Sequence, residues 1–224
     1  MKKICEKNDR ATSVRVYVYD FSKEPRDFSE ESFFMRCEKR KKEIVGATDM
    51  REKARKFYAW ELLDFALKEN GVDTEKTIFT KSANGKWGCE KLCFSIAHTG
   101  KTAAVAVSEA ETGLDIERID RRVKKGLWNR IATEEEKERF FSPTDEETLV
   151  LWTKKESVFK KRGDRIFCPE KINTLEENVK TSVLSELNLI VSVAGEGNFS
   201  TEIRIAEKKN GKFCKGGKVF PSVM

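Results

Sequence analysis

Three short segments follow one another almost without interruption in the middle of this chain: LCFSIAH (92–98), TAAVAVSE (102–109) and GLDIE (113–117). Each reads as a strand, and the first two are joined by a tight turn at His98-Thr99-Gly100. Paired strands must be covered by another layer, so the flanking sequence has to supply one. Before them, Thr48 and Asp49 mark a helix start, Ala54, Phe57, Tyr58, Leu62, Phe65 and Ala66 recur at helical spacing, and Gly71 ends the pattern. After them, Thr133 with Glu136 and Thr144 with Glu147 form two capping boxes, the second opening a helix from Asp145 to Arg162 that stops at Gly163. VRVYVY (14–19) predicts a half-buried strand with Val on one face and Arg and Tyr on the other. NVKTSVL, NLIVSVA and STEIRIA predict three more strands towards the C-terminal end. Strands and helices mix without a βαβ rhythm, so the expected class is α+β.

At 224 residues, one domain or two small ones are expected. Hydrophobic residues make up 38% and charged ones 37%, yet 15 Phe, 4 Trp and 3 Tyr argue for a packed core rather than disorder. No apolar run approaches the roughly 20 residues needed to span a bilayer. The start, MKKICEKNDR, lacks the apolar stretch of a secretory signal, and a cytoplasmic location is expected. Six cysteines without a CxxC pair read as reduced thiols, and Cys89 with Cys93 lacks the partners of a zinc set. The net charge of +6 favours anionic partners: nucleic acid, a phosphorylated small molecule or an acidic protein.

Chemistry can reside in three places. In an extended strand Asp115 and Glu117 point to one side, while Leu114 and Ile116 face the core. Two carboxylates so placed either decorate a solvated face or share a cation, and oxygen donors favour Mg²⁺ or a similar hard ion. Leu149, Trp152, Glu156 and Phe159 share a helix stripe, with Lys160 one turn beyond Glu156. Glu156 is there either a simple helix partner of Lys160 or a carboxylate awaiting a metal. His98 is the single histidine, at a strand end where side chains are often presented to a cleft, so any histidine-centred chemistry has one possible locus. No GxSxG, Walker A or GxGxxG pattern is present.

Together these segments resemble the 4'-phosphopantetheinyl transferases of the surfactin-synthetase-activating type. The family pattern is S-x-S-H and a turn, then G-x-D-x-E, then W-x-x-K-E-x-x-x-K. This chain has Ser95-Ile96-Ala97-His98, Gly113-Leu114-Asp115-Ile116-Glu117 and Trp152-Thr153-Lys154-Lys155-Glu156-Ser157-Val158-Phe159-Lys160. Ala97 replaces a serine, and Gly85-Lys86-Trp87 replaces G-K-P; the resemblance spans roughly residues 10 to 206. It implies Mg²⁺ held by Asp115, Glu117 and Glu156, and coenzyme A as donor to a serine of an acyl or peptidyl carrier protein. It further implies Glu156, Lys160 and His98 as catalytic groups. Lys86, His98, Lys160 and one or more of Arg51, Arg55 and Lys56 would contact coenzyme A.

The resemblance implies two similar α/β halves related by a pseudo-twofold, here residues 1–111 and 112–206; the Lys/Gly-rich composition of residues 207–224 predicts a loose basic tail. It also implies a monomer acting on an acidic helical carrier, with no membrane or nucleic-acid partner. Two other readings compete. A Mg²⁺-dependent nuclease also gathers acidic residues with a lysine, although it wants Glu-x-Lys on a strand where this chain has Glu117-Arg118-Ile119. A non-enzymatic basic binding protein would leave Glu156 in its apolar stripe unexplained.

Overall fold

The computed structural model describes residues 12–25, 37–140, 142–214 and 219–221. Its elements run β1 (Thr12–Asp20), α1 (Glu38–Val45), α2 (Met50–Glu69), β2 (Phe79–Lys81), β3 (Trp87–Cys89), β4 (Cys93–Thr99), β5 (Thr102–Ser108) and β6 (Gly113–Arg118). Then follow α3 (Leu127–Ile131), α4 (Glu134–Arg139), α5 (Asp145–Arg162), β7 (Val179–Leu184), β8 (Leu189–Ala194), β9 (Phe199–Ile205), β10 (Glu207–Lys209), β11 (Lys212–Cys214) and β12 (Val219–Pro221). The mixed α+β class expected from the sequence is thus observed.

The central sheet has the order β12-β9-β1-β5-β4, and a three-stranded antiparallel sheet has the order β6-β8-β7. Val14, Val16 and Val18 project from β1 into a core shared with Leu114, Ile116, Val191 and Val193 of the smaller sheet. Tyr17 and Tyr19 project from the other face into a core with Phe57, Tyr58, Leu62 and Ala66 of α2. β1 is therefore buried on both faces, not half-buried, because α2 covers its tyrosine side. On the far side of the smaller sheet α5 lies across β6 and β8. The layers run α2, large sheet, small sheet, α5.

Both capping boxes form: Thr133 caps α4 with Glu136 reciprocating, and Thr144 caps α5 with Glu147. Asp49 caps α2, and Gly163, at φ 67°, ends α5 in the left-handed conformation that glycine adopts most cheaply. Helix α1, just before α2, carries the basic run Lys39-Arg40-Lys41-Lys42.

Two features depart from the sequence expectation. β9 leaves the second half and pairs in parallel with β1, so the large sheet draws strands from both sides of the 111/112 boundary. The stretch expected to be a loose tail forms strands over its described residues. β10 and β11 form a hairpin, and β12 pairs with β9. Phe213 stacks on Phe65 at 5.2 Å and meets Tyr19 edge-on at 4.8 Å. The Lys208 ammonium lies 5.0 Å from the ring centroids of both Tyr58 and Phe213, and 2.7 Å from a Glu61 carboxylate oxygen. Residues 215–218 and 222–224 of that stretch lie outside the described residues, as does Cys5. Cys37, Cys89, Cys93, Cys168 and Cys214 are free thiols. Among the described residues no helix is long and apolar enough to cross a membrane.

Candidate active site

Close packing of α5 on β6 builds the site. A Cβ at Gly113 would lie 2.4 Å from the Lys161 amide nitrogen, so only glycine at the start of β6 lets the helix approach this far. Behind it, Thr153 Oγ1 of α5 meets Ser192 Oγ of β8 at 2.9 Å, and Ser192 meets Thr181 Oγ1 of β7 at the same distance. Leu114 and Ile116 turn into the inter-sheet core, which leaves Asp115 and Glu117 facing the helix.

Lys160 Nζ lies 2.7 Å from Asp115 Oδ1. Burial pushes the Asp115 carboxyl up, and Lys160 opposes that rise. Glu117 accepts a 3.1 Å hydrogen bond from the Thr99 hydroxyl, which joins the β4–β5 turn to β6, and it pairs with Arg121. Burial raises its pKa, Arg121 works against the rise, and Asp115 adds to it. Glu156 is half-buried. Burial comes first among the causes that raise its pKa, followed by repulsion from Asp115; Glu117 adds to it, against Lys160 and Arg121.

The three carboxylates predicted from the sequence thus sit in one another's field. Among the described residues, however, no group of three or more His, Cys, Asp or Glu is drawn close enough to hold a metal ion. Lys160 and Arg121 supply the counter-charge instead. Arg121 escaped sequence reasoning as part of a charged linker; its place four residues after Glu117 was the available signal. The donor set suits a hard divalent cation, since three mutually repelling carboxylates present oxygen only.

Next to this acidic cluster is a cationic one. Crowding by protein, then the charges of Arg55 and Lys160 and finally of Arg40, lower the His98 pKa to about 4, although the residue is exposed. Among the described residues the buried Nε atoms of Arg55 and Arg40 find no hydrogen-bond partner. Arg40 otherwise donates to Glu43 and to the Lys56 carbonyl, and its guanidinium stacks 5.2 Å from the Trp60 ring. Of the three basic residues of α2 singled out in the sequence, Arg55 is the one whose charge acts on His98. Arg51 is exposed, and Lys56 is paired with Glu52 at 2.6 Å.

Lys86 sits on the hairpin between β2 and β3. Its ammonium lies 2.6 Å from Glu111 Oε2 and donates to the Lys161 carbonyl at 3.1 Å, while Asn84 Nδ2 donates to the Gly163 carbonyl at 2.6 Å. The hairpin therefore satisfies carbonyls that α5 leaves open at its C-terminus. Lys86 and Lys160 line one cavity of about 230 Å³, whose apolar walls include Trp87, Phe94, Ile96 and Phe159. His98 is not among its lining residues.

Lys155, which the sequence shows as the motif lysine before Glu156, receives no role from the sequence alone. Its side chain is fully buried and its ammonium lies 2.7 Å from Glu136, which is equally enclosed.

A family model for the 4'-phosphopantetheinyl transferase superfamily matches residues 111–190, from just before β6 into β8. No curated protein matches the chain. The matched stretch carries Asp115, Glu117, Glu156 and Lys160, the residues that α5 and β6 bring together, and leaves out His98, Lys86 and Arg55. The match supports a place for the chain in the 4'-phosphopantetheinyl transferase superfamily.

Proposed function

We propose that this chain transfers the 4'-phosphopantetheine arm of coenzyme A to a serine hydroxyl of an acyl or peptidyl carrier protein, with Mg²⁺ required and 3',5'-ADP released. The observation that carries the reading is the repulsion that Asp115 exerts on Glu117, and that both exert on Glu156, together with two guanidinium groups, Arg55 and Arg40, whose charges act on His98 and whose Nε atoms find no hydrogen-bond partner among the described residues. Carboxylates repelling one another call for a cation, and unpartnered cationic donors call for an anion. A metal-bound pyrophosphate satisfies both.

The serine oxygen attacks the β-phosphorus of coenzyme A, the bond from that phosphorus to the bridging oxygen breaks, and 3',5'-ADP leaves with that oxygen. Asp115, Glu117 and Glu156 would hold Mg²⁺, which when bound neutralises charge on the pyrophosphate. Glu156, with its raised pKa, receives the serine proton. Lys160 exchanges its contact with Asp115 for phosphate oxygens. His98, neutral at pH 7, donates a hydrogen bond to phosphate, and Arg55 directs its free Nε to the same anion. Lys86 and the apolar walls of the adjoining cavity suit a phosphate with its attached pantetheine chain. Arg51 and Lys56 are then left to the outer rim.

The same reading places the chain with the surfactin-synthetase-activating type and treats the large sheet with α2 and the small sheet with α5 as two related halves. It describes a monomer working in the cytoplasm on an acidic helical carrier, for which a net charge of +6 provides attraction at encounter. Incubation of apo-carrier proteins with the chain, coenzyme A and Mg²⁺, followed by mass spectrometry, tests it. A mass gain equal to the phosphopantetheine arm on the carrier serine is expected; unchanged carriers from every pathway would refute it.

A further inference from the structure

Glu156 has a neighbour whose role the reaction above leaves open. Lys155 Nζ lies 2.7 Å from Glu136 Oε2, and the two side chains are 0% and 1% exposed. Among the described residues no other ion pair is so enclosed. Lys155 also donates to the Pro169 carbonyl at 3.0 Å and to the Ile172 carbonyl, so its three donors are all engaged. Glu136 accepts from the Thr133 amide at 2.8 Å, and from the Thr174 amide and hydroxyl at 2.9 and 2.7 Å. One pair thus ties the start of α4, the middle of α5 and the loop after α5.

That loop reaches the Glu156 face. Phe167 rests edge-on against Trp152 at 5.4 Å and tilted against Phe159 at 5.1 Å, and these two rings flank Glu156 along the helix. Adjacent residues on an α-helix point about 100° apart. Anchoring Lys155 on one side therefore fixes how far α5 can rotate, and with it where Glu156 points. We propose that the Lys155–Glu136 pair positions Glu156 for proton transfer and for cation binding, by locking the rotation of α5 and holding Phe167 against its flanks. The inference rests on the function proposed above.

A double-mutant cycle tests it, with Lys155→Met, Glu136→Gln, Glu156→Gln and their pairwise combinations read by kcat, KM for coenzyme A, thermal melting and Mn²⁺ binding by electron paramagnetic resonance. Lys155→Met is expected to lose about 10- to 100-fold in kcat, with KM within about threefold, as groups behind a metal ligand typically do. In the Glu156→Gln background the same substitution is expected to cost less than about twofold, because it acts through Glu156. A folded Lys155→Met variant with wild-type kcat, or equal proportional losses in both backgrounds, would overturn the proposal. Should Lys155→Met alone unfold, Lys155→Met/Glu136→Gln removes the unpaired charge and is expected to fold with kcat still depressed; wild-type kcat there overturns it too. If the wild-type chain binds Mn²⁺ but modifies no carrier, the function reading fails alone. Positioning is then judged by Mn²⁺ affinity, expected to be about tenfold weaker in Lys155→Met and overturned by equality. No Mn²⁺ binding and no transfer by the wild type would defeat both.

Discussion

A Cβ placed on Gly113 would fall 1.9 Å from the carbonyl oxygen of Ser157. Strand and helix touch backbone to backbone there, so the strand that bears Asp115 and Glu117 and the helix that bears Glu156 and Lys160 are set at one fixed distance. Gly113→Ala must push α5 outward, since neither backbone can yield as a side chain would. The expected cost is about 1–3 kcal/mol or more, measured by urea unfolding. Transfer activity should fall about 100-fold in the folded fraction, because a shift of about 1 Å at a reacting centre has that scale of effect.

Glu156→Gln keeps shape and removes the proton acceptor. Turnover is expected to drop by about 10²–10⁴ while binding of coenzyme A and the melting temperature stay near wild type. Relief of the repulsion that Glu156 shares with Asp115 and Glu117 favours a slight rise in melting temperature. Wild-type turnover in this variant would remove Glu156 from the reaction.

His98 is the single histidine, so its imidazole gives one unambiguous set of resonances in a proton NMR titration. In the absence of phosphate the pKa should lie near 4, because protein crowding and the charges of Arg55, Lys160 and Arg40 disfavour the imidazolium. The unfolded chain then binds the extra proton near pH 6.5, so this group contributes stability that increases as pH rises through the interval from about 4 to 6.5. Adding 3',5'-ADP should move the pKa upward, as anionic phosphate offsets the surrounding cations. A pKa near 6.5 that ignores the nucleotide would contradict the placement of His98 beside that anion.

Lys160→Ala leaves Asp115 buried without its nearest cation. The side chains are 28% and 10% exposed, so the pair is only partly screened and its loss should cost about 1–3 kcal/mol at pH 7. The Asp115 carboxyl, already raised by burial, rises further in the variant, and protonation removes the uncompensated charge as pH falls. The stability gap to wild type should therefore narrow on acidification, and Mg²⁺ should stabilise the variant more than the wild type. Melting curves across pH, with and without Mg²⁺, check both trends.

Local signals in the sequence were legible where they are self-contained. Thr144 with Glu147 and Gly163 fix both ends of α5, and the alternation in Gly113–Glu117 sorts Leu114 and Ile116 from Asp115 and Glu117 without knowledge of the rest of the chain. What escaped depends on partners distant in sequence. Tyr17 and Tyr19 look like the wet side of a strand until α2 is laid over them. Lys208 and Phe213 belong to a polar, glycine-containing stretch, and only the rings of Tyr19, Tyr58 and Phe65 make them an anchored hairpin. Glu136 reads as a helix cap, and nothing in the sequence reveals that its carboxylate also meets Lys155 in the interior. For the same reason the choice among Arg51, Arg55 and Lys56 stayed open in sequence; of the three, Arg55 is the one whose charge acts on His98.

A crystal of the chain grown with Mn²⁺ and coenzyme A, with the ion located by its anomalous scattering, tests the convergence of the carboxylates most directly. The account predicts one ion bound by oxygens of Asp115, Glu117 and Glu156, with Lys160 moved from Asp115 to a phosphate. An ion bound elsewhere, with Lys160 still on Asp115 and Arg121 still on Glu117, would contradict it.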